Sequence, residues 1–164
     1  MYCRHHVFER PAKELTNKFL IDNWKKLNTT DTGELQINRR TKHALQDVIQ
    51  SATEMMKLKF KDDYQEMISL TLILLGAYPD SSSYSVRPPG SISHARWMAK
   101  ILCEFKIVIF SSQLLKLKLI TEADAFSHMQ LTLFLIMYYV KPWMTATLAL
   151  ERNPITSLEY LSTV

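Results

Sequence analysis

Three side chains of metal-ligand type, Cys3, His5 and His6, stand within four residues directly behind Met1, in the stretch MYCRHHVFER. Cys3 and His6 make a C-x-x-H pair, half of a four-ligand zinc spacing. The remaining ligand types, His43, His94, Cys103 and His128, are isolated and supply no matching second pair. A closed zinc site is therefore not expected, and no metal ligand is assigned. A Cys/His nucleophile pair would need an orienting acid and a rigid frame, which the first residues of a chain do not provide. The acids form no two-metal constellation either. Asp62, Asp63, Glu122 and Asp124 fall where acids favour helix starts, and Glu151 and Glu159 stand alone.

The second group with chemical potential is basic. Arg39, Arg40 and Lys42 cluster in INRRTKH, and Arg96, Trp97 and Lys100 lie in SHARWMAK. Cations at these spacings could meet phosphates, and Trp97 could stack on a base. Trp97 and Arg96 are about 100° apart on a helix, which favours Trp97 as a core residue with Arg96 and Lys100 on a solvent stripe. The net charge of +4 and pI near 9.0 tolerate nucleic acid as a partner without requiring it. Two cysteines make no disulfide framework, so a reducing intracellular compartment, nuclear or cytoplasmic, is expected. The apolar run Leu131–Val140 is shorter than the ~20 residues that span a bilayer, and it is expected to form a buried core helix with no membrane role.

The elements that must position these residues are helical. With 164 residues, 47% hydrophobic and only three glycines, the chain is long enough to bury a core and poor in turn residues. Leu15, Phe19, Ile21 and Trp24 share one side of a first helix. Leu45, Val48, Ile49, Ala52, Met55 and Met56 mark an amphipathic helix that begins at the basic cluster. Asp63 and Glu66 resemble a capping box for a nearly all-apolar, hence central, helix ended by Gly76 and Pro79. Pro88 and Pro89 mark a surface loop, followed by a helix capped by Ser91 or Ser93 with a polar stripe of Ser93, Arg96, Lys100 and Glu104. Thr121 and Asp124 form a second capping box, and Pro142 should break the helix after Val140. The expected fold is an all-α, irregular bundle of five or six helices in a single domain, residues 1–164.

The segments CRHHVFE, DDYQEMISLTLILLG, RPPGSISHARWMAKILCEFKIVIF and YYVKPWMTA, in this order, resemble transposon-derived proteins whose core is similar to hAT-type DNA transposases with an RNase H-like catalytic domain. In that family a C-x-x-H motif follows the second catalytic aspartate, an all-helical insertion comes next, and the catalytic glutamate lies beyond it. The resemblance implies that Cys3 and His6 are that motif, residues 1–10 the remnant edge of the RNase H-like core, and residues 11–164 the helical insertion. The parental family is a Mg²⁺-dependent DNA transposase. The two aspartates have no counterpart here, and neither Glu151 nor Glu159 has the acidic neighbours that would make it a useful third acid. The expectation is thus a truncated, transposase-derived helical protein that is not an enzyme, holds no cofactor, and binds DNA or protein. The alternatives are a protein-interaction or self-association module without a DNA role, and a fragment of an active transposase.

Overall fold

The computed structural model describes residues 19–35, 37–79, 84–89 and 96–152, without the side chains of Arg96, Trp97 and Arg152. Cys3, His6, Leu15, Ser91, Ser93 and Glu159 lie outside the described residues. Among the described residues the fold is all-α, with seven α-helices of described bounds packed together: α1 (Arg39–Ala44), α2 (Gln46–Met55), α3 (Asp62–Leu74), α4 (Arg96–Ile109), α5 (Ser111–Lys116), α6 (Glu122–Leu135) and α7 (Lys141–Arg152). A 3-10 turn, Trp24–Lys26, precedes them, and a π turn, Ile136–Val140, joins α6 to α7.

The centre of the bundle is α3. Every residue from Glu66 to Leu74 is buried, because α4 packs on one side of it and α2 on another. An all-apolar helix has no solvent face and must be enclosed in this way. Its end is set by Gly76, whose φ of 65° is left-handed. The Gly76 N–H donates to Ile73 O and the Ala77 N–H to Leu72 O, the paired bonds of a Schellman motif. Its start corrects the sequence expectation. Lys61 is the N-cap and makes no side-chain cap, and Glu66 does not reach back to the helix start. Glu66 lies in the second turn and points into the core.

Two further expectations are corrected by packing, and one helix stands where the sequence pattern marked none. The helix from the basic cluster to Met56 is two helices, α1 and α2, parted at Leu45 (φ −99°, ψ 5°), with Asn38 capping α1 by accepting from the Thr41 N–H at 2.8 Å. In the first helical segment Leu20, not Ile21, is the fully buried residue, and Ile21 faces outward. Helix α5 carries no strong periodicity in the sequence. It ends at Lys118, a non-glycine residue with φ 54°, through the same paired bonds, Lys118 N–H to Leu115 O and Leu119 N–H to Leu114 O.

The largest correction concerns Pro142. It does not end the helix. Five buried residues recur at every fourth position: Thr132, Ile136, Val140, Met144 and Leu148. In a regular α-helix each such step rotates about 40° further around the axis, so the fifth would leave the core face. The wider π turn, closed by the Lys141 N–H on Ile136 O, takes back part of that rotation. It also loosens the turn in which the Pro142 ring would clash and in which its missing N–H would be felt. One continuous helical rod therefore runs from Glu122 to Glu151. By length and composition it could cross a membrane, which inspection of Leu131–Val140 alone did not show.

Candidate functional site

Lys106 and Glu66 form the most unusual polar contact in the described core. Both side chains are essentially inaccessible, and the ammonium lies 2.9 Å from Glu66 Oε1. The two form a close ion pair, and no other group bonds either carboxylate oxygen or the ammonium. The Trp24 ring sits below the ammonium, 5.9 Å from its centroid, and itself meets Phe110 edge-on. Burial drives the Lys106 pKa down from the ordinary lysine value, and the Glu66 charge opposes that shift. Tyr84 lies close to this pair; burial first, and then the Glu66 charge, push its hydroxyl up to about 12. Cys103, one turn before Lys106, is buried and its thiol is pushed up to about 12 by desolvation, so it is a small core residue and not a nucleophile. Nothing in the sequence pattern separated Lys106 from the surface lysines.

A second polar contact ties α6 to α4. His128 Nδ1 lies 2.7 Å from Glu104 Oε1, and Glu104 is buried. Glu104 is therefore not part of a solvent stripe with Lys100, which is half-buried. The hydrogen bond to Glu104 raises the His128 pKa, against the desolvation that lowers it. Gln113 in α5 pins the loop before α1. It accepts from the Asn28 N–H at 2.8 Å and donates to Asn28 O and Asp31 O.

Among the described residues no group of three His, Cys, Asp or Glu side chains comes together. A depression of about 170 Å³ is lined by Glu34, Leu35, Ile37, Lys42, Leu74 and Leu75, and is below the size of ordinary small-molecule sites. Arg39, Arg40 and Lys42 are exposed on α1, whose first turn carries no acid. Helix α1 packs on α2, whereas α4, which carries Lys100, packs on α3, α5 and α6. The two candidate basic groups thus lie on helices that share no substantial packing contact with each other but join one common core through α2 and α3. The side chains of Arg96 and Trp97 lie outside the description.

The surface feature that sequence inspection assigned to the core is the outer face of α6 and the π turn. Phe126, Leu131, Phe134, Met137, Tyr138 and Tyr139 are all exposed, Tyr138 by 68% and Phe134 by 48%. Phe134 stacks on Tyr138 at 4.7 Å and meets Tyr139 edge-on at 6.3 Å. The expected buried core helix is thus buried on one side only, through Thr132, Ile136 and Val140. An all-apolar sequence could not reveal which side, since every rotation looks alike. No exposed residue between Asp124 and Lys141 carries a charge.

No family model matches the chain, no curated protein matches it in sequence, and no solved structure matches its fold.

Proposed function

We propose that this chain works by binding, as a helical insertion-type module of transposon-derived, hAT-like origin, and that its working surface is the uncharged aromatic face of α6 and the π turn. One observation carries the binding role: six large apolar side chains stand exposed along one rod with no charge among them. Contiguous apolar surface of this kind on a folded chain marks a contact with another macromolecule. A protein partner suits it better than DNA, whose phosphates need cations. The transposon origin rests on the resemblance in CRHHVFE, DDYQEMISLTLILLG and YYVKPWMTA. The proposal assigns no catalytic residue and no cofactor, and places the chain inside the cell.

A photo-reactive residue at position 134 tests it, with Gln50, exposed on α2, as control. Adducts to protein at 134 and none at 50, in cells making the full chain, are expected. Absence of protein adducts at 134 would remove the reading. Mg²⁺- or Mn²⁺-dependent DNA cleavage by the purified chain would show that binding is not its whole role.

DNA is the second reading, favoured by Arg39, Arg40 and Lys42 lying exposed on one short helix. If these three meet phosphates, the logarithm of affinity should fall against the logarithm of salt with a slope of about −2.7. The triple alanine variant should flatten that slope. A slope near zero in the parent chain would count against DNA.

A further inference from the structure

We infer that the occupant of the α6 face is a second copy of this chain, bound antiparallel about a two-fold axis between Leu131 and Phe134. The inference rests on the protein-binding reading above and specifies its partner. Three properties of the strip point to it.

The first is size. Along the line through positions 123, 127, 131, 134 and 138, with Phe126 to one side of it, the side chains are small in the N-terminal half, Ala123 and Ser127, and large in the C-terminal half, Phe134 and Tyr138. An antiparallel pair sets one half against the other. With the axis midway between positions 132 and 133, Tyr138 of one copy lies over Ser127 of the other, and Phe134 over Leu131. Ala123 then faces Pro142. On this line each ring meets a small or complementary side chain, as knobs in holes require, while Phe126 beside the line falls level with Tyr139. A parallel pair would put Tyr138 on Tyr138 and leave a gap at Ser127.

The second is charge. The strip itself is neutral, and its two ends are opposite: Glu122 and Asp124 at one, Lys141 at the other. The same axis brings Asp124 of one copy level with Lys141 of the other. Lys141 already contacts Asp47 and is still about one third exposed, so it can face a second carboxylate. Antiparallel helices also oppose their macrodipoles.

The third is area. Leu131, Phe134 and Tyr138 on the line and Phe126, Met137 and Tyr139 flanking it expose about half of roughly 200 Å² each, on the order of 600 Å² per copy when all six are covered. Flanking residues of the rod bring this near the ~800 Å² per partner of an ordinary stable interface. A two-fold contact is self-complementary by construction, so one strip suffices.

The test uses the full chain with Cys3→Ser. Sedimentation equilibrium should show a dimer, and Phe134→Asp should raise its dissociation constant about 30-fold or more, with helical circular dichroism unchanged. Ser127→Trp, which fills the hole instead of removing the knob, should weaken the dimer as well. For the geometry, a Ser127→Cys chain is mixed with a Tyr138→Cys chain and oxidised. Mixed disulfides should dominate over either self-pair. Dominant self-pairs would overturn the antiparallel arrangement. A monomer at all concentrations would overturn the second copy as partner. Photo-adducts from position 134 then separate the outcomes. Adducts to other proteins retain the binding face but refute the dimer, adducts within one chain make the occupant a segment of the chain itself, and adducts to lipid vesicles make it a membrane. An absence of adducts would defeat both readings.

Discussion

At the scale of single residues, the chain keeps two charged contacts where an apolar bundle would be expected to have none. The Lys106–Glu66 pair is fully enclosed, and its remaining polar atoms are unsatisfied. Removing one partner leaves the other charge in the core. Lys106→Met alone should therefore cost about 3–5 kcal/mol. The double variant Glu66→Leu/Lys106→Met should be neutral, or more stable than the parent by about 1–4 kcal/mol. Urea midpoints of the four chains of this cycle decide the matter. A double variant as unstable as the single would mean that the pair contributes more than its desolvation costs. The His128–Glu104 contact is different, because it titrates. Its raised histidine pKa means that its stabilisation is complete below the unfolded value of about 6.5 and is lost as pH rises through the folded value. Thermal stability should fall on going from pH 6 upward through that range, Asp124 adding to the effect through its charge. His128→Gln should flatten the profile, and at pH 6 should cost about 1.5–3 kcal/mol, the range for a hydrogen bond to a charged group. An unchanged profile would show that His128 does not link α6 to α4 through its charge.

At the scale of elements, two helices end by the same device with different residues. Gly76 adopts φ 65° at no steric cost, and a Cβ there would run into the Glu34 carboxylate. Gly76→Ala should destabilise by about 1–2 kcal/mol. Lys118 holds φ 54° with a side chain that opposes it. Lys118→Gly should stabilise by about 0.5–1 kcal/mol, read as a rise in the midpoint of thermal unfolding. A fall would mean that glycine's extra freedom in the unfolded chain outweighs the relief. The ends at Gly76 and the capping box at Thr121–Asp124 were legible in the sequence, since glycine and Thr-x-x-Asp carry their geometry in their chemistry. The end at Lys118 was not, because tertiary packing there overrides local preference. Asp63-x-x-Glu66 also matched a capping pattern, yet the burial of Glu66 against Lys106 took the carboxylate away from the helix start. The π turn has the same character. Pro142 signals a break on local grounds, while the four-residue repeat Thr132, Ile136, Val140, Met144 and Leu148 calls for a continuous rod. The docking of α7 by Trp143, stacked on Tyr64 at 5.1 Å, satisfies the repeat.

At the scale of the whole molecule, the bundle has an interior dominated by α3 and α4 and an outer rod, α6 to α7, that is only half covered. The rod carries the binding surface we propose, and the antiparallel pairing inferred for it predicts concentration-dependent stability. If the dimer forms through this face, the thermal midpoint should rise with protein concentration in the parent and stay constant in Phe134→Asp. A midpoint independent of concentration in both would speak against association linked to folding. The sequence by itself determined the all-α class, the central place of α3, the caps at Gly76 and Thr121, the core character of Cys103 and the surface loop at Pro88. Each follows from composition, from a repeating apolar pattern or from a residue with one preferred geometry. Only the tertiary structure decided that Lys106 lies inside, that Glu66 leaves its cap to meet it, that the rod passes Pro142, and which side of Leu131–Val140 faces out. A helix that is apolar all round has no direction of its own. Its inside is chosen by the neighbours that happen to cover it, and here α4 packs on α6 and α2 on α7, which leaves Phe134 and Tyr138 exposed.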